Sequence, residues 1–291
     1  MAEICGPVKR GTFRPVARIS LKNVTAGPGK FEPNLDSIVK IAAISDIHGN
    51  IAALDAVLED IRKEGVDLIV NLGDILSGPL YPCETADRLM ALGLPTIRGN
   101  HERQLLEGDP ERMGLSDRWT FEQLRPEHMD WIASLPATLE IGDDVLLVHG
   151  TPRDDLTYFL ETVTETGCRA ATYAEVRERA GEADAGLILC GHTHLQRMMR
   201  LETGQLVANP GSVGLQAYED DRPFPHRMEM GSPRARYLVA SGGGLEWEVE
   251  FRAVEYEWEG MAVRAKSNQR VDWEIALRMG VCEDAGLNST S

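Results

Sequence analysis

Gly191-His192-Thr193-His194 directly follows the apolar run Leu187-Ile188-Leu189-Cys190. Side chains alternate faces along a strand, so a buried strand that stays extended here would aim His192 and His194 to one side. Two neutral imidazoles aimed at one point suggest a metal, whereas a lone histidine in apolar surroundings suggests a core residue. The pattern repeats. Strand-like apolar runs also lead into Asp46-Ile47-His48, Gly73-Asp74, Gly99-Asn100-His101-Glu102 and His149-Gly150. Five of the seven histidines therefore stand in the same kind of place.

Together these positions offer two carboxylates (Asp46, Asp74), one amide (Asn100) and five imidazoles (His48, His101, His149, His192, His194). A mixed nitrogen and oxygen set suits divalent Mn, Fe, Zn or Ni, whereas Ca or Mg alone would favour oxygen throughout. The set exceeds what one ion needs. With Asp74 shared, two ions could sit ~3.5 to 4 Å apart, the arrangement that supports attack on phosphorus. Rival chemistries fail on spacing. His101-Glu102 does not continue to a zincin motif because position 105 is Leu105. Gly27-Pro28-Gly29-Lys30 is followed by Phe31 where a P-loop needs Ser or Thr. Ser212 lacks the preceding glycine of a nucleophile elbow because position 210 is Pro210.

In this order, Asp-x-His, Gly-Asp, Gly-Asn-His-Glu, His-Gly and Gly-His-Thr-His resemble the calcineurin-like metallophosphoesterase superfamily, over about residues 38–255. The resemblance implies an α/β fold of two mixed β-sheets packed as a sandwich and flanked by helices, four layers in the order α/β/β/α. It implies two divalent transition-metal ions, one held by Asp46, His48, Asp74 and His194, the other by Asp74, Asn100, His149 and His192. His101 would be the catalytic imidazole that is not a ligand, with Glu102 either orienting it or facing solvent. The reaction implied is single-step hydrolysis of a phosphate ester by metal-activated water. The run Gly73-Asp74-Ile75-Leu76-Ser77-Gly78 departs from the Gly-Asp-x-Val-Asp-Arg-Gly of protein phosphatases. Asn209-Pro210-Gly211-Ser212-Val213-Gly214 and Thr151-Pro152-Arg153-Asp154 instead look like the small bacterial and archaeal phosphodiesterase branch. Small phosphodiesters or nucleotide polyphosphates are the expected substrates, with dinucleoside tetraphosphatase or phosphomonoesterase activity as alternatives. A non-catalytic metal-binding scaffold is the alternative of a different class. Arg153 is a candidate substrate contact or else a surface salt bridge, while His128 and His226 read as ordinary surface or loop residues.

Positioning these groups requires alternating elements. Ile38 to Ser45 reads as the first core strand, and Ile51, Leu54, Leu58 and Ile61 give an amphipathic helix that stops before Gly65. Strands over 67–71 and 95–98 and a helix over 84–92 continue an α/β pattern. Short helices are expected over 119–124 and 126–133, a hairpin over 138–148, and a largely helical stretch over 156–180. A second hairpin is expected over 196–208, and 216–235 reads as a loop with three prolines. Strands over 236–240 and 245–253 finish the sheet. Trp258, Met261, Ala262 and Ala265 suggest a terminal helical hairpin over one sheet face, with a frayed tail from Cys282.

Composition bounds the rest. At 291 residues and 43% hydrophobic, the chain can bury a full core. Residues 1–37 read as an arm that adds at most one edge strand over 16–21, residues 38–255 as the catalytic domain, and residues 256–291 as a C-terminal helical hairpin and tail. A net charge of -16 argues against polymeric nucleic acid as a partner, leaving a small phosphate-ester substrate. Five scattered cysteines without a Cys-x-x-Cys pair fit a reducing compartment, and Cys190 reads as core. No apolar run of membrane-spanning length is present, so no membrane partner and a cytoplasmic location are expected. Oligomeric state has no signal in the sequence.

Overall fold

The computed structural model describes residues 17–19 and 39–283. A six-stranded mixed sheet runs β1 (Ala17–Ile19), β4 (Leu139–Ile141), β5 (Val145–Leu147), β8 (Leu187–Leu189), β10 (Leu206–Pro210), β9 (Gln196–Arg200). A four-stranded sheet runs β14 (Glu246–Val254), β13 (Ala235–Gly243), β2 (Val39–Ile44), β3 (Leu68–Asn71). The neighbours β2 and β3, and β5, β8 and β10, pair in parallel, so their C-terminal ends point the same way within each sheet.

Period-two alternation explains the layering. Ile41 and Ala43 face the space between the sheets with Leu187, Leu189, Leu206 and Leu238. Ala42 and Ile44 face the opposite way, against the helices α1 (Ile51–Glu64), α2 (Pro82–Leu92) and α5 (Pro126–Ser134). On the far side, Ile188 and Cys190 pack with Val176 and Ala180 of α6 (Tyr173–Ala180). The result is the four-layer α/β/β/α sandwich. Strands buried on both faces read as unbroken apolar runs, which is why β2 and β8 carry no polar alternation. In α1, Asn50 accepts from the Ala53 amide at 3.1 Å to cap the helix, and Gly65 ends it at φ 62°. Full burial of Leu54, Val57 and Ile61 stabilises this docking by about 1.5–3 kcal/mol per side chain.

Several local expectations give way to tertiary context. The 156–180 stretch is not largely helical: Glu161–Thr164 (β6) and Gly167–Ala170 (β7) form a hairpin, and only Tyr173–Ala180 is helix. The β-branched Thr162, Val163 and Thr164 before a turn at Glu165-Thr166 outweigh helical periodicity there. Of the expected strand over 95–98, only Thr96 bridges to Asn71. The 216–235 loop contains a second hairpin, Ala217–Asp220 (β11) with His226–Glu229 (β12). Two more helices lie in the chain between α2 and α5, α3 (Asn100–Glu107) and α4 (Leu115–Gln123).

The terminal pair α7 (Trp258–Ser267) and α8 (Val271–Met279) packs on Leu80, Leu215 and Ala217 rather than over a face of either large sheet. Cys282 is buried, and its amide donates to Glu229 Oε1 at 2.8 Å, so the ordered chain runs past the expected start of the tail. The rest of the expected arm and tail, 1–16, 20–37 and 284–291, lies outside the described residues. Among the described residues no helix is long and apolar enough to cross a membrane.

Candidate metal centre

Five segments converge at the strand ends. The loops after β2, β3, β5 and β8 deliver Asp46 and His48, Asp74, His149, and His192 and His194, while Asn100 opens α3. Ligand atoms of Asp46, His48 and His194 lie within 4.8 Å of one another, and so do those of Asp74, His149 and His192. His192 and His194 thus belong to different triads. Their backbones, at φ 71° and 61°, are left-handed and not extended, so the alternation rule does not carry past the end of β8.

Asp46, His48 and Asp74 share that unusual backbone, at φ 55°, 52° and 52°. A non-glycine residue held left-handed costs about 1–3 kcal/mol and persists only where its surroundings over-determine it. Here they do. The Asp46 amide donates to Gly73 O at 2.9 Å and the His48 amide to Asp74 O at 3.1 Å. Ser212 Oγ donates to Asp46 O at 2.7 Å, and Asn209 Nδ2 to Gly191 O at 2.6 Å. Backbone closeness fixes two glycines as well: a Cβ at Gly99 would stand 2.1 Å from Asp74 Oδ1, and one at Gly191 2.2 Å from Ser45 Oγ.

Backbone carbonyls set the imidazoles. His48 Nδ1 lies 2.8 Å from Ser77 O and His194 Nδ1 2.7 Å from Leu215 O, so each Nδ1 carries the proton and donates it. Both Nε2 lone pairs then face each other at 3.1 Å. Two acceptors at that distance require a cation or a shared proton between them. Likewise His149 Nδ1 donates to Leu72 O at 2.8 Å, and its Nε2 lies 3.1 Å from Asp74 Oδ2. His192 is reversed: Nε2 donates to Leu156 O at 3.2 Å, leaving Nδ1 for the centre. The Asn100 side-chain oxygen is turned inward, 3.1 Å from His149 Nε2. Imidazoles, two carboxylates and one amide oxygen converging at the strand ends are a donor set that fits divalent metal.

Charge divides the triads. Burial pushes His48 down to about 3, reinforced by His194. Burial also opposes charge on His149, but the Asp74 carboxylate outweighs it and holds that ring up at about 10. Asp74 in turn sits well below the usual carboxylate range, burial being overcome by His149 and His101.

His101 lies beside the ligands without joining either triad. It occupies the first turn of α3 rather than an extended segment, so it diverges from Asn100 by the helical step of about 100°. Its Nδ1 lies 2.6 Å from Oδ1 of Asp117, a buried residue of α4, and its amide donates to Asp74 Oδ1 at 3.0 Å. Burial lowers the His101 pKa, but Asp74 and Asp117 outweigh it and raise it to about 9. Sequence reading missed Asp117, which belongs to no motif. Glu102 neither orients His101 nor faces solvent. Fully buried, it accepts the Asp74, Ile75 and Gly99 amides at 2.9, 2.8 and 2.9 Å, and so staples two ligand loops together.

The centre opens into a cavity of ≈ 1070 Å³, walled by β6, the β11–β12 hairpin and α8. Arg153 is not on it. Its exposed side chain borders a separate depression with Thr151, Asp154 and Glu175. His226 and His128 are buried, contrary to expectation. His226 Nε2 accepts from the Tyr158 hydroxyl at 2.9 Å, and that hydroxyl is 2.8 Å from Tyr218, which donates to His192 O at 3.1 Å. His128 Nε2 lies 3.0 Å from Asp87 Oδ1 and ties α5 to α2.

Residues 39–224 match the family model of the calcineurin-like phosphoesterase superfamily domain. A metallophosphoesterase structure from Sphaerobacter thermophilus is similar, with TM-score 0.65 and 26% identity, covering 84% of this chain and 99% of that one. A hypothetical protein from Pyrococcus horikoshii OT3 shares the fold, with TM-score 0.64, 20% identity and 84% and 100% coverage. An uncharacterised protein of Methanocaldococcus jannaschii is 26% identical over 247 residues, 80% of this chain and 94% of that protein.

Proposed function

The chain belongs to the calcineurin-like phosphoesterase superfamily, and from that premise we propose that it is a hydrolase of small phosphodiesters that uses two divalent metal ions. Nucleotide polyphosphates are the neighbouring substrate class. The observation that carries the proposal is the pair of triads, in the first of which the His48 and His194 lone pairs face one another, beside an imidazole that belongs to neither.

Asp46, His48 and His194 would hold one ion, and His149, His192 and Asn100 the other, with Asp74 between them. Bound divalent ions lower the pKa of water toward ~7 and offset charge on phosphoryl oxygens. The residues supply the rest. Carbonyls of Ser77, Leu215, Leu72 and Leu156 fix each imidazole in the tautomer that presents a lone pair. His101, held protonated beside Asp117, would give its proton to the departing oxygen from Nε2. Arg153 has no part in this scheme. A net charge of -16 favours small esters over polymeric nucleic acid.

The test is to strip the protein with chelator, reload it separately with Mn, Ni, Fe and Zn, and follow bis(p-nitrophenyl) phosphate and p-nitrophenyl phosphate. Metal-restored hydrolysis, faster on the diester, is the expected result. Full activity in the stripped protein would overturn the metal role. Stoichiometric metal binding with no hydrolysis would point to the scaffold reading, and a faster monoester to a phosphomonoesterase.

A further inference from the structure

Beside His101 the cavity wall has a composition that the metal chemistry leaves unexplained. Residues three apart share a helix face, so His101 and Gln104 project from α3 together, and both line the cavity. Gln104 is half-buried, and its side-chain amide makes no hydrogen bond among the described residues. Its surroundings are already paired. Ser116, next to the Asp117 that holds His101, accepts from Arg270 Nη1 at 2.8 Å. Arg270 Nε and Nη2 donate to Asp272 at 2.9 and 2.6 Å, and the guanidinium lies 5.5 Å from the Trp273 ring centroid. Trp273 is buried, edge-on to His48 at 5.9 Å, in space that opens because residue 78 is glycine: a Cβ there would stand 2.6 Å from the indole.

We infer that this wall is the subsite for the leaving alcohol, that Gln104 hydrogen-bonds a hydroxyl on it, and that the substrate's leaving alcohol is therefore uncharged and hydroxylated, such as glycerol or a sugar. The inference rests on the proposed phosphodiesterase reading. The departing oxygen must lie against His101 to take its proton, and Gln104 stands one helical turn further along the same face. Water adds its oxygen to phosphorus and gives up a proton to solvent, the bond from phosphorus to the alcohol oxygen breaks, and the alcohol leaves with the proton from His101, which solvent then replaces.

A second phosphate in the leaving group would need unengaged cations. Arg270 is engaged by Asp272, and Arg179 donates to the carbonyls of Phe159 and Glu161 at 3.0 and 2.8 Å and to Thr162 Oγ1 at 2.8 Å. Arg222 stands at the exposed rim, 3.8 Å from Asp221. The amide of Gln104 suits a neutral donor or acceptor instead.

Symmetric diesters place the same group in the leaving position whichever way they bind. We would measure kcat/KM of the metal-loaded full chain on diglyceryl phosphate, dipropyl phosphate, diadenosine tetraphosphate and bis(p-nitrophenyl) phosphate, for wild type, Gln104→Leu and Gln104→Met, with metal content read on each sample. Wild type should favour diglyceryl over dipropyl phosphate by about 10-fold, the worth of one hydrogen bond in a sheltered site. Both variants should narrow that ratio to about 2-fold, and diadenosine tetraphosphate should be poorer than diglyceryl phosphate throughout. Two variants guard against one failing to fold. Equal rates on the glyceryl and propyl esters, or a ratio unmoved in both variants, would overturn this inference while leaving the phosphodiesterase reading standing, whereas the tetraphosphate as best substrate would overturn the two together. No hydrolysis of any diester by the loaded wild type would overturn both.

Discussion

The two triads use the same residue types and differ in readiness. Asp46, His48 and His194 are all buried, and His48 is driven neutral by burial down to about 3, so its lone pair is available at any physiological pH. The second triad carries a half-buried His192, and its His149 is held protonated up to about 10 by Asp74. An ion entering the second triad must expel the proton of His149, whereas His48 has none to give up. Similar ligands therefore need not mean similar affinity. What decides is the partner of the imidazole: His149 Nε2 lies 3.1 Å from the Asp74 carboxylate, whereas His48 Nε2 faces another imidazole, His194, at 3.1 Å.

The harshest break of this comparison is Asp74→Ala. It removes the carboxylate shared between the proposed ions, so metal analysis should show loss of occupancy and hydrolysis should fall to that of the stripped protein. Full metal retention would refute the sharing. His101→Ala tests the line between ligand and non-ligand. It should lower kcat by ~10²- to 10⁴-fold with metal content near wild type, and the deficit should shrink for a p-nitrophenolate leaving group, which needs little protonation. If metal is stripped as well, His101 belongs to the centre.

Asymmetry in proton release is read by metal titration across pH. One of two binding steps should tighten by about 10-fold per pH unit below pH 10, as His149 gives up its proton, while the other changes less. Two steps with the same slope would remove the distinction between the triads. The smallest expected effect is that of Asp117→Asn, about 10-fold in kcat from a weakened charge-assisted bond. Its pH profile is the sharper measure. Asp74 and Asp117 raise the His101 pKa to about 9 against burial, so the protonated acid is present below that pH and lost above it. Without the Asp117 charge, the alkaline limb of activity should move to lower pH. An unshifted limb would mean that Asp117 only supports α4.

Most of the candidate ligand set was legible because each member stands just after an apolar strand, where hydrophobic runs and glycines leave a local trace. Asp117 left none. It sits 16 residues beyond His101 on another helix, and only the folding of α3 against α4 brings the two together. Arg153 is the opposite case: it stands close to His149 in sequence, but its exposed side chain borders another depression. Glu102 looked like a partner for its neighbour, whereas its carboxylate turns back onto three amides from the Gly73 and Gly99 loops. The β6–β7 hairpin was masked because a few β-branched residues speak weakly against helical composition until a partner strand exists.

Asparagine, aspartate and histidine are the side-chain-bearing residues most often held left-handed, and the five such positions at the strand ends, 46, 48, 74, 192 and 194, each carry an aspartate or a histidine. Exchanging any of them for an aliphatic or β-branched residue would remove a candidate ligand and strain the chain in one step. Backbone and candidate metal centre therefore ask for the same residue types at these turns.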